Sequence, residues 1–248
     1  MKSVIEGFIR GFKAPVRAAK LILISPSLLS LVAIPLLINL VIYVFFFYYA
    51  EDFLSNQIHL LTLAMVSSVP HWVVTMSSWI LKFVVWISLL MVSAMTFTIV
   101  GGVLASPFND MLSSRTTLVR KKRGELRGGV LVYSSIPILT SIILEAKRST
   151  ILLVFGFMAV ILGFIPFFQI PAFLMGATLL SFEYFGYPIS RKSKSLNSIV
   201  FFMVARPFVS LGFGSALLVL MALPFLGIAY IPLAVVGATI LHDDLAPL

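Results

Sequence analysis

Cysteine is absent from this 248-residue chain, which removes disulfides, thiolate metal ligands and thiol nucleophiles. Acidic residues are few, nine in all, and the three histidines, His59, His71 and His242, are scattered. No paired-histidine metalloprotease motif and no phosphate-cradling glycine loop occurs. The sequence therefore reads as a non-enzyme with no cofactor and no metal site. Charged residues make up only 11% of the chain, where a water-soluble domain carries about a quarter. That shortage excludes a soluble domain.

What fills the chain instead is apolar. Hydrophobic residues reach 60% and the mean hydropathy is +1.10, the signature of an all-α integral membrane protein. The apolar stretches predict one membrane domain over 1–248 with span one at 21–50 and span two at 72–106. Basic cytoplasmic and interfacial helices are expected over 107–150, and two hairpins over 151–190 and 207–242. The first apolar run starts only near Leu21 and has no small-residue cleavage site after it, so it reads as a retained helix rather than a leader. Ser106-Pro107-Phe108-Asn109-Asp110 is expected to end span two, with Asn109 or Asp110 capping a cytoplasmic helix toward Arg123.

The net charge of +9 is placed by topology rather than for nucleic acid. Lys2, Arg10, Lys13, Arg17 and Lys20 precede span one; Arg115, Arg120 to Arg123, Arg127, Lys147 and Arg148 follow span two; Arg191, Lys192, Lys194 and Arg206 lie between the hairpins. The connection Glu51 to His71 has no Lys or Arg. By the positive-inside rule both termini are cytoplasmic and 51–71 faces outward. The basic loops are expected near anionic membrane lipid.

An internal repeat runs through the C-terminal half. Ile170-Pro171 precedes Gly176-Ala177-Thr178-Leu179-Leu180, and Ile231-Pro232 precedes Gly237-Ala238-Thr239-Ile240-Leu241 at the same spacing. Each copy closes a proline-interrupted hairpin: Ile151 to Ile165 and back over Ala172 to Phe182, then Phe208 to Leu223 and back over Ile231 to Leu241. These arms have the length of re-entrant segments, and the basic run from Arg191 returns the chain to the cytoplasm, so the two hairpins are parallel copies. Gly163, Gly176, Ala177, Gly212, Gly214, Gly237 and Ala238 offer close helix approach. The fold class is thus two long transmembrane helices plus two parallel-repeat re-entrant helical hairpins and amphipathic interfacial helices. Burying the non-helical tips calls for a homo-oligomer, a dimer or larger.

A few polar residues interrupt the apolar stretches. Pro35 breaks a backbone hydrogen bond in span one, and Asn39 beside it serves helix packing or a solute path. Lys82 either snorkels to the outer interface or stands on an anion pathway. His242-Asp243-Asp244 reads as a solvated chain end, with cation binding as the other use. Ser25-Pro26-Ser27 has the form of a helix start, where free N–H groups and the helix dipole suit either an ordinary cap or an oxyanion.

Taken in order, Ser25-Pro26, Ile34-Pro35-Leu36-Leu37-Ile38-Asn39, Ala105-Ser106-Pro107-Phe108-Asn109, Glu183-Tyr184-Phe185-Gly186-Tyr187-Pro188 and Pro232 to Thr239 resemble the CysZ-type sulfate permeases over nearly the whole chain. The resemblance implies an oligomeric permease of the bacterial inner membrane that admits sulfate, or a similar oxyanion, for cysteine biosynthesis. It implies an anion-binding set of Ser25, Pro26, Ser27 and Ser30, with Asn39, Asn109, Lys82 and Arg17 as pathway or helix-kink residues. In the family the loop after the proline carries two adjacent arginines; here Leu29 and Ser30 stand there. Either Lys20, Arg17 or another basic residue substitutes, or the anion selectivity differs. A membrane scaffold using the basic loop 115–127 to hold lipid or a partner is the alternative.

Overall fold

The computed structural model describes residues 2–34, 70–126, 137–193, 195–223 and 230–245, with isolated positions between 37 and 56. Pro35, Asn39, nearly all of the outward connection, and the second hairpin tip at 224–229 lie outside the described residues. Regular structure among the described residues is helical, with no strand. The helices are α1 (Lys2–Phe12), α2 (Ala14–Leu23), α3 (Pro26–Ile34), α4 (His71–Lys122), α5 (Ile138–Phe164), α6 (Gln169–Ser190), α7 (Leu196–Val204), α8 (Pro207–Ala222) and α9 (Tyr230–Leu245).

Three boundaries differ from the sequence expectation. Span one does not begin at Leu21: Leu21 and Ile22 are core residues of α2, and Ser3–Leu23 meets α3 at 104°. The cause is Pro26, which has no N–H to continue α2 and disfavours the helical region for Ser25. The expected break at Ser106–Asn109 is absent. α4 runs through Pro107 to Lys122, and Asn109 and Asp110 are mid-helix rather than caps. Finally, the amphipathic stretch before Ile151 is continuous with the first hairpin arm, making α5 a 27-residue helix. Its segment Ile142–Phe164 is long and apolar enough to cross a membrane.

The chain forms two compact units, Met1–Ala33 with Ala105–Leu248, and Ile34–Leu104. In the second unit, Trp72, Trp79, Phe83 and Trp86 of α4 are all exposed. That is the surface of a helix meeting lipid, not water. Lys82 is exposed among them.

In the first unit, α5 and α6 form an antiparallel hairpin that turns over 165–168. Phe167 there adopts φ 73° and is 97% exposed, an uncommon left-handed conformation for a bulky residue. With Phe164 and Ile170 also exposed, the tip is apolar apart from Gln169. The core centres on Phe185 of α6, whose ring lies 5.0 Å from Phe202 of α7 and 5.3 Å from Phe213 of α8. Val235 and Leu241 of α9, Leu217 of α8 and Leu28 of α3 join it.

Small residues set the closest crossings. A Cβ on Gly212 would stand 2.2 Å from the Phe8 carbonyl oxygen, one on Gly11 2.1 Å from that of Val209, and one on Gly214 1.8 Å from that of Ala177. So α1 packs backbone to backbone on α8, and α8 on α6. Gly163 and Gly176, expected to act likewise, have no atom closer than 3.9 Å.

Candidate anion-binding site

Pro26 starts α3 at the bend, and the α2–α3 corner is held by the far end of α4. Gly124, at φ 68°, closes α4 with the bonds Gly124 N–H to Lys121 O and Glu125 N–H to Arg120 O, both 3.1 Å. This cap directs Arg123 to the corner. Its Nη2 donates to the Ile24 carbonyl at 2.9 Å and to Ser25 Oγ at 3.0 Å. A cation on the last carbonyls of α2 is favoured by the helix dipole. The Ser25 side chain, expected to face an anion, is buried and engaged with Arg123.

Beyond the corner lies a cleft of about 400 Å³ lined by Ser27, Ser30 and Leu31 of α3 and by Met111, Ser114, Arg115 and Leu118 of α4. Two of the four sequence-proposed anion residues, Ser27 and Ser30, thus share one wall. Ser30 Oγ donates to the Ser27 carbonyl at 3.4 Å. Pro26 is exposed at the head of α3. The α4 residues recur at three- and four-residue spacing and so present one helix face. Arg115 brings the charge that Leu29 and Ser30 do not.

The other proposed residues go elsewhere. Arg17 donates to Asp244 Oδ2 at 2.8 Å. Asn109 is buried and donates to the Tyr187 hydroxyl at 3.3 Å. Lys82 belongs to the other unit and Asn39 lies outside the described residues.

The opposite face of α4 carries a feature that sequence reasoning missed. Asn109, Asp110, Ser113, Thr116, Thr117 and Arg120 are all buried and form one polar stripe. Ser113 Oγ lies 2.8 Å from Thr239 Oγ1, Thr117 donates to Asp243 at 3.3 Å, and Arg191 donates to Ser113 at 3.0 Å. Arg120 reaches Asp244 at 2.6 Å, Glu125 at 3.3 Å, Asp243 at 3.6 Å and the Ile240 carbonyl at 3.3 Å. Burial lowers the Arg191 guanidinium from its ordinary value, opposed by the charges of Asp110 and Asp243. The stripe continues into α5 and α6: the Tyr187 hydroxyl donates to Glu145 Oε2 at 3.2 Å, Glu145 pairs with Arg148, and Arg148 donates to the Glu183 carbonyl at 2.9 Å. Its three- and four-residue period was present in the sequence, masked by Ser and Thr, which are common on membrane helices.

His242-Asp243-Asp244 is accordingly no solvated end. Asp243 is buried, and Asp244 also takes Arg10 at 3.4 Å. Burial pushes the Asp244 carboxyl up, but hydrogen bonds and charge from Arg120 and Arg17 outweigh it and hold it below its ordinary value.

The family model described as sulfate transporter CysZ/etoposide-induced protein 2.4 matches residues 14–232. A protein of Pseudomonas fluorescens strain Pf0-1 named sulfate transporter CysZ is 28% identical, over 88% of this chain and 87% of its own. Relatives of the same name from Pseudomonas syringae pv. tomato and Pectobacterium atrosepticum are 27% and 25% identical, each over 88% of this chain and over 86% and 79% of theirs. A match running from the start of α2 to the first turn of α9 makes this chain a member of the sulfate transporter CysZ/etoposide-induced protein 2.4 family.

Proposed function

We propose that the chain is a sulfate permease of the bacterial inner membrane that supplies sulfate for cysteine biosynthesis. The observation that carries the reading is the cleft where Ser27 and Ser30 of α3 face Arg115 of α4, in a chain whose named relatives are sulfate transporters. Sulfate must exchange its hydration shell for fixed donors and positive charge, and serine hydroxyls with a guanidinium provide both. In this reading the cleft is the cytoplasmic mouth, and both termini are cytoplasmic. Two long helices cross the bilayer, and the hairpins at 151–190 and 207–242 enter it, the first on an arm, Ile142–Phe164, that is itself long and apolar enough to cross. The exposed Phe164 and Phe167 at the tip of the first hairpin are covered by lipid or by further copies in a homo-oligomer. Asn39 supplies a polar group along the path and Ser25 and Pro26 shape its entrance, whereas Asn109, buried against Tyr187, serves packing instead.

Transport is channel-like. The carboxylates of Glu145 and Asp243 lie against Arg148 and Arg120, so they are compensated charges rather than free carriers of a coupled proton. The scaffold alternative keeps only part of its basic loop, since Arg120 and Arg123 are committed to internal bonds while Lys121 and Lys122 are exposed. Radioactive sulfate flux into liposomes holding only the purified protein tests the proposal. Uptake above that of empty vesicles without an imposed pH gradient is expected; absence of uptake with or without a gradient refutes it.

A further inference from the structure

The loop after Pro26 brings no charge to the cleft. Leu29 is apolar and 46% exposed, and Ser30 is neutral. Three nearby cations are occupied, Arg123 by Ile24 and Ser25, Arg17 by Asp244, and Arg120 by Asp243 and Asp244, and Lys20, though exposed, does not line the cleft. Arg115 differs. It is exposed, and among the described residues it is the only charged one lining the cleft and has no acidic partner.

We infer that Arg115 is the binding residue that holds the oxyanion, so that in this chain the guanidinium comes from α4, across the cleft, rather than from the α3 loop. This rests on the sulfate reading of the same cleft. The arrangement is chemically sufficient for a tetrahedral dianion. A guanidinium offers paired N–H donors in a plane matched to two oxygens, and Ser27 and Ser30 stand on the opposite wall to donate to the others. Among the described residues no carboxylate lines the cleft to oppose the anion.

Equilibrium binding of radioactive sulfate to the purified full-length protein in detergent, run beside liposome flux, tests this. Arg115→Gln should raise the half-saturating sulfate concentration roughly tenfold to a hundredfold, the loss expected for a charged hydrogen-bond donor. Arg115→Lys should recover part of it. Lys121→Gln removes the same charge from an exposed position outside the cleft and should leave binding unchanged. Wild-type affinity in Arg115→Gln, or an equal loss in Lys121→Gln, overturns the inference, as does a wild-type protein that binds no sulfate. Binding that depends on Arg115 in a protein that passes no sulfate upholds the inference and overturns the permease reading instead.

Discussion

At the scale of the residue, Arg120 has the most to lose. Its side chain is 4% exposed and faces Asp243, itself 3% exposed, and Asp244. Removing one partner of a buried pair leaves uncompensated charge and costs about 3–5 kcal/mol. Arg120→Ala should therefore lower the thermal unfolding temperature in detergent sharply, and an unchanged melting curve would contradict the packing of α9 on α4. Little of this was legible in the sequence. Arg120 stood in a basic cluster read as solvated, and Asp243 and Asp244 stood near the chain end, because a charge's partner is invisible until distant segments meet. Ser27 of the cleft was legible, since a Ser-Pro-Ser helix start is a local pattern, whereas Ser114 was not. Arg115 was not, since nothing in the local sequence separates it from its basic neighbours.

At the scale of the element, the helix crossings make opposite predictions for chemically identical changes. Gly212→Ala places a methyl group into the Phe8 carbonyl, and because backbone must move to admit it, a loss of about 1–3 kcal/mol is expected. Gly163→Ala meets nothing closer than Ala172 Cβ at 3.9 Å, so it should gain roughly 0.5–1 kcal/mol from the better helix former. Paired thermal melts of the two variants check both signs. The repeated segment makes the same point. Thr178 and Thr239 each donate to the carbonyl four residues back, as identical sequence dictates. Yet Thr178 is exposed while Thr239 is fully buried against Ser113. The sequence repeat reported like helices and not like surroundings. It also hid the length of α5, because a proline marks a break clearly whereas an amphipathic stretch does not show whether it joins the apolar one after it.

At the scale of the whole molecule, Asp244 links three parts of the chain, Arg10 in α1, Arg17 in α2 and Arg120 in α4. Its carboxyl titrates below the ordinary 3.8 when folded and near that value when unfolded. The unfolded state therefore binds the proton first, so the stabilisation is fully present above 3.8 and is lost as pH falls through the lower folded value. Asp244→Asn should melt below wild type near neutral pH, and the gap between the two should close as the pH drops below about 4. A gap that stays constant with pH would show that Asp244 acts by shape rather than by charge.

The membrane character, the helical class and the family were all determined by the sequence alone. Hydropathy is summed over neighbours along the chain, and the proline and glycine signals act within a turn or two. Tertiary structure alone decided which polar residues are spent on holding the protein together and which remain for an anion. Arg17 and Asp244 are 227 residues apart, and Arg123 and Ser25 are 98 apart. Electrostatic pairing depends on distance in space, so only folding could engage those arginines and leave Arg115 facing Ser27 and Ser30.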